Sequence, residues 1–191
     1  MYDLLVLGAL LEHDRSGYKL CKVLENALVP RRKISNGVMY PLLDKLAAAD
    51  DIVFLAATEN SRGKRLAHLT PTGKAHLHAM LLAPVPMDAK RESIYRFKFK
   101  GMAAETPVVQ SQILNDYKNA VLTDLQSYQR IYVHVERKVA AAGSNQDSID
   151  WGLRTLSLQI AESEAKIKWS NQQLEKVQQA IAAHGGITNN D

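Results

Sequence analysis

Residues 35–52 have the sequence SNGVMYPLLDKLAAADDI, which predicts a helix that leads into a strand. Ser35 is a favourable N-cap, and the helix is expected from about Asn36 to Ala49. Its apolar residues recur at helical intervals and predict one buried stripe. They are Val38, Met39, Leu42, Leu43 and Leu46. The opposite face is small and polar at its start and carries one aromatic residue, Tyr40, so this face is expected to point to solvent.

Two more helices are predicted before this segment. Residues 3–11 are apolar nearly all round, which is typical of a helix buried on most of its faces. Ser16 is a favourable N-cap for a second helix over about residues 17–28, which has one apolar face. The turn at residues 13–15 separates the two helices.

A hairpin and a fourth helix are predicted after it. Residues 52–55 and 66–69 favour strands, and the polar loop between them carries several basic residues. Thr70 followed by Pro71 is a helix start, and this helix is expected to reach about Leu82.

The order of these elements predicts a winged helix-turn-helix with a two-stranded wing over residues 1–83. In this fold the third helix protrudes and its exposed face fits the major groove of DNA. The start of the second helix can hold a phosphate, and a basic hairpin tip can grip the backbone. The predicted DNA-binding residues are Ser16, Tyr18, Lys19, Ser35, Asn36, Gly37, Tyr40, Lys45, Arg62, Lys64 and Arg65.

The second half is predicted to be a helical dimerisation domain. Pro84 and Pro86 break the chain, so residues 84–105 are expected to form a linker and a short helix. Residues 106–184 follow as two long helices, and residues 185–191 are expected to be a disordered tail. Apolar residues repeat every seven positions in the last helix and require a partner helix. The predicted dimerisation residues are Leu153, Leu156, Ile160, Ile167, Leu174, Val177 and Ile181.

Three aromatic residues of this half have two interpretations. Tyr117, Trp151 and Trp169 could stack on a flat aromatic effector. More often, aromatic residues of this kind pack inside the helical bundle or at the dimer interface.

Composition excludes several classes of protein. The chain has 191 residues, a net charge of +4 and one cysteine, Cys21, so no intramolecular disulfide can form. It has no apolar run long enough to cross a membrane, and a cytoplasmic location is expected. Metal-ligand, phosphate-loop and catalytic motifs are absent from the sequence, so we expect no metal, no cofactor and no enzymatic activity.

Three segments together resemble the PadR family of bacterial transcriptional regulators: SGYKL at residues 16–20, SNGVMYPLLDKLAAADDI at 35–52 and LTPTGK at 69–74. The likeness covers residues 1–82, and the second half is similar in layout to the longer-tailed branch. Leu66 and Ala67 depart from it, because the family usually has aromatics there. The resemblance implies a homodimer that binds a near-palindromic operator in double-stranded DNA, usually as a repressor. In many members a small effector releases the DNA, and phenolic acids are the effectors in one longer-tailed group.

Three functional hypotheses therefore remain open. The first is a homodimeric repressor released by a small aromatic or phenolic effector. The second is a DNA-binding regulator without a ligand. The third is a helical adaptor that binds a partner protein through its C-terminal heptads.

Overall fold

The structure is a computed structural model that describes residues 1–55, 65–139 and 146–185. Its helices are α1 (Tyr2–Ala9), α2 (Gly17–Ala27), α3 (Asn36–Ala48), α4 (Pro71–Leu82), α5 (Arg91–Gly101), α6 (Pro107–Val139) and α7 (Gln146–Gly185). Its strands are β1 (Arg15–Ser16), β2 (Ile52–Leu55) and β3 (Leu66–Leu69). The predicted mainly helical fold, a winged helix-turn-helix followed by C-terminal helices, is confirmed. The predicted disordered tail lies outside the described residues from residue 186 onward.

Helix α1 is at the centre of the N-terminal core. Leu4, Leu5, Val6 and Leu7 are all buried, as expected for a helix that is apolar nearly all round. The helix contacts α2, α3, α4 and α5. The neighbouring helices are therefore held in place by one short apolar element.

Helix α3 ends in a backbone motif that turns the chain into β2. Asp50 adopts a left-handed conformation with φ of 58°. The Asp51 amide donates to the Leu46 carbonyl at 2.9 Å, and the Asp50 amide donates to the Ala47 carbonyl at 3.1 Å. This pair of bonds is the Schellman arrangement, which satisfies carbonyls at a helix end. Only three residues therefore separate the end of α3 at Ala48 from the start of β2 at Ile52.

The wing strands belong to an antiparallel sheet in the order β1-β3-β2. Ile52 pairs with Leu69 and Leu55 pairs with Leu66, so β2 and β3 form the predicted hairpin. The sequence predicted a turn where β1 lies, but Arg15 pairs with Ala67 at the free edge of β3. A strand of two residues has no alternating pattern, so only the pairing with β3 defines it.

Helix α4 starts as the sequence predicted. The Thr70 hydroxyl accepts a hydrogen bond from the Gly73 amide at 2.9 Å, and Pro71 occupies the first turn. The same hydroxyl donates to the Asp50 carbonyl at 2.6 Å. A Cβ atom added at Gly73 would lie 2.0 Å from the Asp51 carbonyl oxygen, so only glycine fits where α4 meets the end of α3.

The chain divides into two compact units, Met1–Val109 and Gln110–Asp191. The sequence placed a boundary at residue 83 because of the two prolines, with a linker and short helix to residue 105. The short helix is α5, and it packs against α1 inside the first unit. Lys98 of α5 is buried and donates to the carbonyls of Leu81, at 2.7 Å, and Ala83, at 2.5 Å. The end of α4 is thus capped by α5.

The second unit contains two long helices. Tyr117 of α6 lies edge-on to Trp169 of α7, with ring centroids 6.4 Å apart. Farther along, Tyr132 of α6 lines the same shallow cavity as Asp150 and Leu153 near the start of α7. The two helices therefore run antiparallel.

Candidate nucleic-acid interface

The outer face of α3 is exposed, as predicted. Met39, Leu43 and Leu46 are buried, whereas Asn36 and Gly37 at the start of the helix are exposed. Tyr40 lies on the same side and is 50% exposed. This face is available to a ligand as large as duplex DNA.

One residue of the predicted apolar stripe is exposed. Val38 is 44% exposed, although the sequence grouped it with the core residues of α3. At about 100° per residue, Val38 lies at the edge of the stripe that Met39, Leu43 and Leu46 occupy. It therefore belongs to the exposed surface.

A concave surface forms where α2, α3 and the wing meet. Its volume is about 360 Å³, and its lining includes Tyr18, Tyr40, Phe54 and Arg65. Tyr18 is 60% exposed at the start of α2. The surface therefore joins residues that are far apart in the sequence, because the sheet holds the wing beside α2 and α3. Helix α2 contributes the phenol of Tyr18, and helix α3 contributes the phenol of Tyr40.

The Tyr40 ring depends on a glycine of the neighbouring helix. A Cβ atom at Gly17 would lie 3.3 Å from Cε1 of Tyr40 and 3.4 Å from its Cζ. The ring therefore lies directly over the start of α2. Any side chain at position 17 would push it outward.

Arg65, at the base of the wing, contributes a positive charge to this surface. The Arg65 guanidinium lies 4.1 Å from the centre of the Phe54 ring, which fits a cation–π contact. The contact holds the charge beside the concave surface. Arg62 and Lys64, the other predicted wing contacts, lie outside the described residues.

The two predicted serines occupy helix starts. Ser16 is buried, and its hydroxyl accepts a hydrogen bond from the Lys19 amide at 3.4 Å. Ser35 makes no side-chain cap bond, and its carbonyl accepts from the amides of Val38 and Met39. Ser16 is therefore used in capping, as predicted, whereas the exposed Ser35 hydroxyl remains available at the start of α3.

Lys45 is not brought together with the other predicted DNA contacts. It follows Asn36 by nine residues, which places it about 180° around the helix. Its ammonium lies 2.7 Å from the Asp3 carboxylate of α1. Burial raises the pKa of Asp3, but the hydrogen bond from Lys45 and nearby positive charge outweigh it and lower that pKa overall. Lys45 thus connects α3 to α1.

The sequence analysis missed a basic segment between α2 and α3. Arg31, Arg32 and Lys33 are consecutive and exposed, directly before the start of α3. Arg32 donates to the Tyr2 hydroxyl at 2.7 Å. Three adjacent cations after Pro30 were the available signal. They place positive charge beside the exposed face of α3.

A buried carboxylate holds this basic segment in place. Glu25 accepts a hydrogen bond from the Ile34 amide at 3.2 Å and one from the Lys22 ammonium at 2.9 Å. The bond from Lys22, followed by that from the Ile34 amide, lowers the pKa of Glu25 below its ordinary value of 4.5. The loop between α2 and α3 is therefore anchored by an ionised side chain.

The predicted effector residues separate into a pair and a single residue. Tyr117 is buried against Trp169, which is 38% exposed. Trp151 is 65% exposed, and the Arg154 guanidinium lies 4.9 Å from its ring centre. Eighteen residues separate the two indoles on α7, a distance of about 27 Å along a helix. The structure therefore does not bring the three aromatics into one pocket.

The predicted dimerisation stripe on α7 is partly covered within one chain. Leu174 is buried, as are Ser163 and Ser170 on the same side of the helix. Among the other predicted residues, Ile181 is exposed, and the half-buried ones are Leu153, Leu156, Ile160, Ile167 and Val177. Their role in dimerisation stays a prediction.

Metal-binding clusters and membrane-spanning helices are absent from the described part of the chain. No group of three or more His, Cys, Asp or Glu side chains there is arranged to hold a metal ion. Histidines instead pair singly with carboxylates, such as His76 with Asp51 at 2.8 Å. Across residues 1–55, 65–139 and 146–185, every helix is too short or too polar to span a bilayer.

Comparison with known proteins gives a family match for part of the chain. Residues 6–79 match the family described as "Transcriptional regulator PadR-like family". Curated proteins gave no significant match. The chain is similar to Bacillus subtilis PadR in complex with operator DNA, with 23% identity over 91% of this chain and 96% of that one and a TM-score of 0.40.

Two further solved structures are similar to the chain. Bacillus subtilis PadR in complex with p-coumaric acid is 21% identical over 92% of this chain and 98% of that one, with a TM-score of 0.38. A PadR-like transcriptional regulator from Bacillus cereus is 18% identical over 94% of this chain and 99% of that one, with a TM-score of 0.39.

Proposed function

Because residues 6–79 are a PadR-like transcriptional regulator domain, we propose that this protein binds operator DNA in double-stranded form as a homodimer and represses transcription. The observation that carries the proposal is the exposed face of α3 beside the basic segment Arg31–Lys33. Buried Met39 and Leu43 fix the helix so that Asn36 and Tyr40 face outward. We propose no catalytic activity, since the family that residues 6–79 match is one of transcriptional regulators.

The surface supplies the two kinds of contact that DNA recognition requires. Arg31, Lys33 and Arg65 offer positive charge to phosphates, which gives affinity without sequence information. Asn36 offers an amide that can pair with a base edge, and Tyr40 offers a phenol beside it. A homodimer would present two such surfaces to a near-palindromic site.

Binding to a fluorescent duplex from upstream of the protein's own gene tests the proposal. We expect affinity to fall linearly with salt on a log–log plot, with a slope of about −0.9 for each phosphate contacted. Asn36→Ala should weaken binding to the operator by about 5- to 150-fold, since a good base contact contributes about 1–3 kcal/mol. Asn171→Ala, an exposed amide on α7, is the matched control and should bind like the wild type. A flat salt dependence together with unchanged binding by Asn36→Ala would contradict the proposal and favour a helical adaptor.

Release by a small aromatic or phenolic effector is the finer part of the proposal. Trp169 supports it, because part of its ring is exposed while its neighbour Tyr117 is buried beneath it. A flat ligand could stack on that indole. Thermal shift with phenolic acids tests this part, since a ligand bound at 100 times its Kd stabilises the fold by about 2.7 kcal/mol. The absence of a shift with any of them, while DNA binding persists, would favour a regulator without a ligand.

A further inference from the structure

Asp44 is an acidic residue on the side of α3 that the proposed function turns towards DNA. It follows Asn36 by eight residues and Tyr40 by four, so it lies within about 80° of both around the helix axis. Asp44 is exposed, and it lines the concave surface together with Tyr18, Tyr40 and Arg65. A carboxylate therefore lies where a polyanion is expected to dock.

The fold makes no use of this carboxylate. In the part of the chain that the structure describes, the Asp44 side chain takes part in no hydrogen bond or ion pair. Arg65, a cation on the same surface, lies over the Phe54 ring instead, 4.1 Å from its centre. Aspartate also has a low helix propensity, and the helix dipole does not favour negative charge towards the C-terminal end. The role of Asp44 therefore concerns a partner and not the fold.

DNA that covers this surface must satisfy the Asp44 carboxylate. Docking displaces its water, and burying an unpaired charge is costly. The phosphates of DNA repel it, because both groups are anionic. The carboxylate therefore needs a hydrogen-bond donor from a base, and in the major groove the bases offer donors only from the amino groups of cytosine and adenine.

Cytosine suits a carboxylate better than the other three bases. Guanine presents two acceptors in the major groove, and thymine presents an acceptor and a methyl group. Adenine has an acceptor, its N7 atom, directly beside its amino group, so a carboxylate is repelled there as well. The cytosine amino group has no such neighbour on its own base, and the side chains that accept from it are those of aspartate and glutamate.

We propose that Asp44 determines sequence specificity by accepting a hydrogen bond from the 4-amino group of a cytosine in each half of the operator. This role rests on the DNA binding of the proposed function, and Asp44 was not among the predicted DNA contacts. Asn36 and Asp44 are about 12 Å apart along the axis of α3. With α3 lying along the groove, the cytosine is therefore expected about three or four base pairs from the base that Asn36 contacts, at about 3.4 Å for each base pair.

Selection from a pool of duplexes with a randomised centre tests this role in the full-length chain. The wild type should select a cytosine at one position of each half-site, and Asp44→Ala should lose the preference at that position alone. Replacing this C·G pair should weaken wild-type binding by about 5- to 150-fold in fluorescence anisotropy, as expected for one base contact. The same replacement should leave binding by Asp44→Ala nearly unchanged.

A modified cytosine tests the donor itself. N4-methylcytosine still pairs with guanine, but its methyl group replaces the amino hydrogen that points into the major groove. At the selected position this base should weaken binding by the wild type and leave binding by Asp44→Ala unchanged. Equal sensitivity of the two proteins to the methyl group would overturn the role of Asp44.

Control variants separate the loss of a base contact from the loss of a negative charge. Asp116→Ala, at an exposed aspartate of α6, changes the net charge equally and should keep the cytosine preference. Asp44→Ala should not lower the thermal midpoint, because alanine is the better helix former at an exposed position. If Asp44→Ala instead raises affinity for every duplex equally and keeps the preference, the carboxylate only repels phosphates and the proposal is wrong.

The outcomes separate this role from the proposed function. A wild type that selects a sequence in which no cytosine preference depends on Asp44 would refute only the role of Asp44. A wild type that binds all duplexes equally, or binds none, would refute the proposed function and the role of Asp44 with it.

Discussion

The ring of Tyr40 lies over Gly17, close enough that a Cβ atom at position 17 would come within 3.3 Å of it. One phenol on α3 is thus positioned by the absence of a side chain on α2. A residue on α2 therefore controls the geometry of a predicted contact on α3.

Gly17→Ala is expected to weaken DNA binding while the fold persists. The added methyl group must displace the Tyr40 ring, and this ring is exposed enough to move outward. The free energy of unfolding should change by less than about 1 kcal/mol, since alanine also has the higher helix propensity. Operator affinity by fluorescence anisotropy should fall severalfold. Gly152→Ala on α7, whose Cβ would meet nothing within 4 Å, is the control and should bind normally.

Gly37→Ala is expected to raise the stability of the fold and to lower operator affinity. A Cβ atom there would meet only the Ser35 hydroxyl at 3.7 Å, an ordinary contact. Alanine in an exposed helix position should therefore stabilise the fold by about 0.5–1 kcal/mol in urea unfolding. If DNA approaches the backbone at this position, operator affinity should fall at the same time. Unchanged affinity would show that the glycine does not serve DNA approach.

Lys45 should behave as a structural residue. Its ammonium is hydrogen-bonded to the Asp3 carboxylate. Lys45 lies on the side of α3 about 180° around the helix axis from Asn36. Lys45→Met and Asp3→Asn should therefore lower the thermal midpoint by similar small amounts. Neither should change the slope of log affinity against log salt. A slope reduced by about 0.9 in Lys45→Met alone would instead restore Lys45 as a phosphate contact.

The ionisation of Glu25 should make the stability of the fold depend on pH. Its pKa is lowered in the folded protein, chiefly because it accepts a hydrogen bond from Lys22, so its contribution is present above the unfolded value near 4.5. That contribution is lost as pH falls through the lower folded pKa. The difference in thermal midpoint between wild type and Glu25→Gln should be full above about pH 5 and shrink below 4.5. A difference that grows on acidification would contradict this assignment.

Lys98 should be needed for the first unit to fold stably. Its buried ammonium donates to the carbonyls of Leu81 and Ala83 at the end of α4. Lys98→Met would leave these acceptors without their donor, at a cost of about 1–3 kcal/mol in the free energy of unfolding. Lys100→Met, an exposed lysine of the same helix, should cost little. Equal midpoints for the two variants would refute the capping role.

Local patterns were sufficient for the elements of the first unit other than β1. The apolar stripe of α3, the Ser16 and Thr70 caps and the hairpin of β2 and β3 each depend on residues within one or two helical turns or on adjacent strands. Such patterns are visible in the sequence because short-range geometry repeats every 3.6 or 2 residues. The face of α3 that would meet DNA could therefore be predicted, including Asn36 and Tyr40.

Contacts between distant residues could not be predicted in this way. Lys45 matched a DNA-facing pattern, yet it lies against Asp3, which is 42 residues away. Lys98 was one of several cations near a proline-rich segment, yet it caps α4. In both cases the charge is the same and only its partner decides what it does.

The amino-acid sequence by itself determined the helices, the two strands of the hairpin and which of their faces are apolar, because these depend on neighbours a few residues apart. Strand β1 was not among them, since only its pairing with β3 defines it. The tertiary structure alone decided which polar side chains are used internally and which remain available at the surface. It paired Lys45 of α3 with Asp3 of α1, buried Ser163 and Ser170 and left Trp151 and Leu158 exposed. These outcomes depend on which elements pack together, since a side chain bound or buried by another element is no longer available to a partner.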